Sequence, residues 1–159
     1  HMRPGNLVSV ILTLRNVFPY VSFWAFGGQG ILVASRTPQF IQGDALDRIV
    51  ARADRWGWRE VDTQGKLQEL LRSRLLGPQD VDAMDDRFKI RINTDRNRLL
   101  EYETPKDNLS ALDFGRINVL FLRKQSGSVP IALAPGSKPS WKELVDAAAR
   151  PKDLPPKGP

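Results

Sequence analysis

Cysteine is absent from the 159 residues, and histidine occurs once, at position 1. Disulfides, a thiol nucleophile and a Cys/His zinc site are thereby excluded, and cysteine usage says nothing of redox compartment. His1-Met2 reads as a cloning remnant in front of a piece of a longer chain, which would take histidine chemistry out of the native inventory. No uninterrupted apolar run approaches the roughly eighteen residues of a membrane-spanning helix, and no signal-peptide pattern opens the chain. The expected setting is cytoplasmic, either alone or as the soluble domain of a membrane protein. There is no internal repeat.

What is present is ordinary for a globular chain, with 41% hydrophobic and 26% charged residues, and the length predicts one compact domain. The net charge is +6 and the sequence pI is near 10.0, which permits attraction to nucleic acid or anionic lipid. Two basic groups stand out. Arg48, Arg52, Arg55 and Arg59 recur at helical spacing, and Lys89, Arg91, Arg96 and Arg98 follow later. Acidic residues interleave with the first group (Asp44, Asp47, Asp54), the pattern of a solvated helix face. Nucleic acid and anionic lipid therefore rank last among the partner classes.

Along the chain, Leu7, Val10, Ile11, Leu14 and Val17 recur at three- and four-residue spacing and predict a helix over Asn6–Val17, with Asn6 as N-cap and Pro19 ending it. Asp44 is the expected N-cap of a second helix with Leu46, Ile49, Val50 and Ala53 inward. Thr63 opens a third through Leu67, Leu70, Leu71 and Leu75, stopped at Gly77-Pro78. Gln79–Met84 predicts a short helix. Asp82, Asp85 and Asp86 near its end lack the spacing of a calcium loop and read as surface carboxylates. Phe88–Ile92 predicts an extended segment, and Asn93-Thr94-Asp95 a turn. Leu99–Tyr102 also reads as extended. A helix with Leu109, Leu112, Phe114, Ile117, Leu120 and Phe121 inward starts from Asn108. Ser126–Pro139 is a loop, Ser140 and Glu143 form a capping box for a helix over Trp141–Ala149, and the proline- and lysine-rich end reads as disordered.

The stretch that organises the rest is Phe18–Ser35. Two apolar runs, Tyr20–Phe26 and Ile31–Ser35, are separated by Gly27, Gly28, Gln29 and Gly30, which predicts a β-hairpin. Neither run alternates cleanly, and continuous apolarity predicts strands covered on both faces within a layered α/β structure. Phe23, Trp24 and Phe26 read as core aromatics.

A helix ending in Val-Phe-Pro, the aromatic strand, the Gly-Gly-Gln-Gly turn and Leu32-Val33-Ala34-Ser35 together resemble the closing hairpin of spermidine synthase-like proteins. The likeness is nearest to the bacterial branch fused to a multi-pass membrane segment. Asn93-Thr94-Asp95, followed by Leu99-Leu100-Glu101-Tyr102 and Pro105, is similar to that family's Asn-Thr-Asp…Leu-Glu-Tyr…Pro segment. The resemblance spans roughly residues 6–107. It implies an α/β fold, the C-terminal portion of a methyltransferase-like (Rossmann-type) structure, here a hairpin flanked by helices without the cofactor-binding half. Its domain layout is 1–2 remnant, 3–125 spermidine synthase-like, 126–139 loop, 140–150 terminal helix and 151–159 tail.

Enzymes of that family transfer an aminopropyl group from decarboxylated S-adenosylmethionine to an amine. The glycine-rich nucleotide turn, the acidic residue after the second strand and the catalytic aspartate of the family would all lie upstream of this stretch, so the implied cofactor belongs to a full-length parent and none to this chain. The chain also departs from the family where Ala25-Phe26-Gly27-Gly28 stands in place of the amine-binding tyrosine loop, and where Arg96-Asn97-Arg98 follows Asn-Thr-Asp. Gly27, Gly28, Gln29, Gly30, Asn93, Thr94, Asp95, Glu101 and Tyr102 are the matched motif residues, with a ligand-binding or a structural role. No catalytic or metal-binding residue is assigned. The expectation is a non-catalytic folding, oligomerisation or interaction module, whose partner is a second copy, paired through an open strand edge, or the missing N-terminal part. The alternatives are a share in an aminopropyltransferase active only with its N-terminal half, and a basic surface for nucleic acid or anionic lipid.

Overall fold

The computed structural model describes residues 2–55, 63–94, 96–98, 113–127 and 131–149. Among them the fold is mixed α/β, with six helices and three strands: α1 (Pro4–Val17), β1 (Tyr20–Phe26), β2 (Gln29–Ser35), α2 (Gly43–Arg55), α3 (Thr63–Arg72), β3 (Arg74–Leu76), α4 (Pro78–Phe88), α5 (Phe114–Arg123) and α6 (Pro139–Ala149). They divide into two compact units, His1–Pro38 with Ser73–Gly127, and Gln39–Arg72 with Ser128–Pro159.

The first unit holds the sheet. All pairing is antiparallel, in the order β2-β1-β3. In the hairpin Val21 faces Ala34, Phe23 faces Leu32 and Ala25 faces Gly30. These positions share the side packed against Val8, Ile11 and Leu12 of α1, Val81 and Met84 of α4 and Leu122 of α5. α1 starts at Pro4, two residues before the expected Asn6, because proline at the first helical position has its φ preset and loses no needed hydrogen bond. It ends at Phe18, extended before Pro19. Its buried stripe is Val8, Ile11 and Leu12, while Val17 is 60% exposed. With no charge before Arg15 the helix is apolar nearly all round, so periodicity alone does not single out the inner face.

β3 corrects the reading of Leu75 as helical. α3 stops at Arg72, and Arg74–Leu76 pairs with β1 through Phe23↔Leu76 and Trp24↔Arg74. A three-residue strand is too short for a period-two signal, and its two leucines extend a helical pattern by coincidence. α4 outruns the expected Gln79–Met84 at both ends. Residues 89–94 form no regular strand. The first part of the helix expected from Asn108 lies outside the described residues; α5 begins at Phe114, where Asp113 accepts the Arg116 N–H at 3.1 Å as N-cap.

The second unit packs α2, α3 and α6 around Leu46, Leu67 and Trp141, with Ile41, Val50, Leu133 and Leu144 against them. Ile49, expected inward, is 46% exposed. α2 begins at Gly43, which places Asp44 inside the first turn. α6 opens at Pro139, so Ser140 lies within the helix, and the Lys138 carbonyl accepts the N–H groups of Trp141 and Lys142. Residues 131–134 belong to the expected loop, yet Leu133 forms a parallel bridge with Ile41.

Candidate functional site

Among the described residues, the motif positions fall in three places. The first is the hairpin turn. Gly27 and Gly28 both take positive φ, +59° and +77°, the requirement of a two-residue type I′ turn. The four-residue separator read from the sequence is thus two residues long. Gln29 and Gly30 belong to β2, opposite Phe26 and Ala25. Gly30 is needed for a different reason: the Phe23 ring lies over it, and a Cβ there would fall 2.8 Å from the ring's Cζ.

The opposite face of the hairpin carries Tyr20, Ser22, Trp24 and Phe26 from β1 and Gln29, Ile31, Val33 and Ser35 from β2, by strand alternation from the same register. None of the eight is Asp, Glu, His, Lys or Arg. Ser22 is buried and accepts the Trp24 indole N–H at 3.1 Å. Ile31 and Val33 are 41% and 42% exposed. The prediction that both faces are covered is therefore corrected for β2: its core-facing side is packed and its other side meets solvent.

The second place is the segment after α4. Ser9 Oγ donates to the Arg91 carbonyl at 2.8 Å, Asn93 donates its N–H to Thr13 Oγ1 at 2.8 Å, and Thr13 Oγ1 donates to the Ser9 carbonyl at 2.7 Å. Two hydroxyls one turn apart on α1 thus hold an extended strip of backbone. Thr94 and Asn97 then close a turn on each other: the Thr94 N–H donates to Asn97 Oδ1 at 2.9 Å, the Asn97 N–H to Thr94 Oγ1 at 3.2 Å, and the Asn97 amide to the Ile92 carbonyl at 2.8 Å. This is the local side-chain bonding that short polar residues supply. Asp95, Glu101 and Tyr102 lie outside the described residues.

The third place is the basic face of α2. Arg48 pairs with Asp44 one turn earlier, and that hydrogen bond holds the Asp44 carboxyl below its ordinary value. Arg52 and Arg55 are exposed, and Arg59 lies outside the described residues. On the same helix Asp47 receives Lys138 Nζ at 3.0 Å and the Trp141 indole N–H at 3.1 Å, tying α2 to the start of α6. The Lys138 hydrogen bond, more than the indole, holds the Asp47 carboxyl below its usual value, against an opposing contribution from desolvation. Asp82 pairs with Arg15 at 2.6 Å. Among the described residues no cluster of three His, Cys, Asp or Glu side chains is placed to hold a metal ion, and no helix is long and apolar enough to cross a membrane.

Two features escaped sequence reading. Asp80 is buried, and its carboxylate accepts the Gly77 N–H at 2.7 Å and the Gly127 N–H at 2.5 Å. Burial lowers the pKa of nearby Arg74, and the Asp80 charge opposes that shift. The other feature is an open groove of about 740 Å³ in the second unit, lined by Ile131–Ala134, Gly136, Ser137 and one side of α6. The signal that could have found the Gly77 contact is Gly77-Pro78-Gln79-Asp80, since an acid three residues after a cap position marks a helix start; the Gly127 contact has no local signal. The groove had no sequence signal beyond its small apolar residues.

Comparison with protein-family models, with curated proteins and with solved structures finds no match to this chain.

Proposed function

We propose that the chain is a non-catalytic folding and interaction module, equivalent to the C-terminal portion of a spermidine synthase-like protein of methyltransferase-like (Rossmann-type) fold. Its hairpin is where the N-terminal, cofactor-binding part of such a protein would dock. The observation that carries this is the outer hairpin face: eight positions without an Asp, Glu, Lys or Arg, in a chain that is 26% charged, with Ile31 and Val33 left about two-fifths exposed. Apolar strand surface in a layered α/β sheet is normally covered by another layer. The matched polar motif supports the same reading, because Asn93 and Thr94 are engaged in holding the chain to α1 and in closing a turn. Decarboxylated S-adenosylmethionine and an amine acceptor belong, on this reading, to the assembled parent in the cytoplasm.

The test is a thermal melt with and without 5′-methylthioadenosine, S-adenosylmethionine and spermidine. A ligand that binds the folded form alone raises the midpoint by mass action. The expected result is one cooperative transition unmoved by any of the three. A midpoint raised by a nucleoside ligand would overturn the proposal in favour of an aminopropyltransferase site on this chain.

A further inference from the structure

Among its described residues, the second unit carries a strand edge with no backbone partner. In the bridge between Ile41 and Leu133, the Ile41 N–H donates to the Ala132 carbonyl at 3.0 Å and the Ala134 N–H donates to the Ile41 carbonyl at 2.9 Å. Alternate residues of an extended chain direct their backbone groups to opposite sides. The N–H and C=O of Leu133 therefore point away from Ile41, and neither has a hydrogen-bond partner among the described residues. The segment that presents them lines the open groove together with Pro139, Lys142, Val145 and Asp146 of α6.

We infer that this edge joins two copies of the chain about a two-fold axis, with 131–134 of each lying antiparallel to the other. One residue that offers both a donor and an acceptor on the same side is self-complementary in that arrangement. Leu133 of each copy gives its N–H to the Leu133 carbonyl of the other, the paired exchange found at hydrogen-bonded positions of antiparallel strands. Charge favours the same occupant. Lys142 and Asp146 are both exposed, of opposite sign and one turn apart on the groove's helical wall. A two-fold contact can set Lys142 of one copy against Asp146 of the other twice over, whereas most of the surface of a chain with net charge +6 repels its like. The small side chains of Ala132 and Ala134 leave the approach open. This inference does not depend on the resemblance to any family or on the hairpin face, so it stands or falls separately from the function proposed above.

Sedimentation equilibrium on the full chain, from micromolar to millimolar concentration, tests it. The average mass is expected to climb from that of the 17.9 kDa monomer towards twice that value, with hydrogen exchange at the Leu133 amide slowing over the same range. Leu133→Pro deletes the outward N–H while leaving the Ala132 carbonyl and Ala134 N–H that hold the bridge, and should leave a monomer. Because that change also trims the core, two charge reversals supply a second handle. Lys142→Asp and Asp146→Lys should each weaken the dimer about tenfold through the two symmetry-related pairs, and the double variant should recover it. A wild-type chain that is monomeric throughout overturns the inference. So does a dimer indifferent to Leu133→Pro and to both reversals.

Discussion

Asp80 and Gly127, 47 residues apart in the chain, are joined by a hydrogen bond from the Gly127 N–H to Asp80 Oδ1 at 2.5 Å. The other carboxylate oxygen accepts the Gly77 N–H at 2.7 Å, so one buried side chain closes the start of α4 and anchors the chain as it leaves α5. Buried carboxylates that satisfy two backbone donors are expensive to remove, since deletion strands both. Asp80→Ala should lower the free energy of unfolding by about 3 kcal/mol. Asp80→Asn should do nearly as badly, because its amide turns a donor towards one of the two N–H groups. The urea midpoint of each variant measures this.

The glycines of the hairpin should separate by mechanism. Gly27→Asn should be neutral or slightly stabilising, as asparagine tolerates positive φ at the first central position of a type I′ turn. Gly30→Ala should cost about 1–2 kcal/mol, because its Cβ meets the Phe23 ring in the core. Thermal midpoints of the two variants, compared side by side, distinguish turn chemistry from packing.

Thr13→Val removes the acceptor of the Asn93 N–H while keeping the side-chain volume. A loss of about 1–2 kcal/mol is expected, with faster hydrogen exchange at the Asn93 amide. Unchanged exchange there would show that α1 does not hold the segment.

Asp47 and Asp44 confer an acid-side dependence on the second unit. Both carboxyls are held below the ordinary value of 3.8, by Lys138 and Arg48 respectively. A group whose folded pKa is depressed stabilises above its unfolded pKa and loses that contribution as pH falls through the folded value. The melting temperature should therefore be flat from neutrality to about pH 5 and fall below the ordinary carboxylate range. Asp47→Asn should reduce the drop.

Ile31→Thr with Val33→Thr tests the outer hairpin face. In the chain by itself, substitution of half-exposed residues should change stability by no more than about 0.5 kcal/mol per site. Binding of a hydrophobic dye to the folded chain should decrease. A large loss of stability would mean that the face is buried within this chain, and the docking role of the hairpin would fall.

The hairpin was legible because its information is local. Glycines at 27 and 28 and aromatic and β-branched residues on both sides specify a turn and two strands whatever surrounds them. The helices over 4–17, 43–55 and 139–149 were legible from periodicity, with starts misplaced by one or two residues: a proline opened the first and the last ahead of the expected cap, and the middle one opened at Gly43. β3 and the Leu133 bridge were not legible. Each is a strand of three residues or fewer, and its identity comes from a partner distant in sequence: β1 for Arg74–Leu76, and Ile41 for Leu133. For the candidate residues, the sequence marked Asn93 and Thr94 as turn formers, and the structure supplied Ser9 and Thr13 as the hydroxyls that hold the adjoining backbone.

Taken alone, the sequence determined where the chain turns, which segments coil, and which chemistries its missing cysteines exclude, since all of these are settled by neighbours within a few residues. Tertiary structure decided which side of an apolar strand is covered, which carboxylate is buried between two backbone donors, and which short segments pair with a distant strand. Those outcomes depend on segments tens of residues apart meeting in space, and no local pattern carries that information.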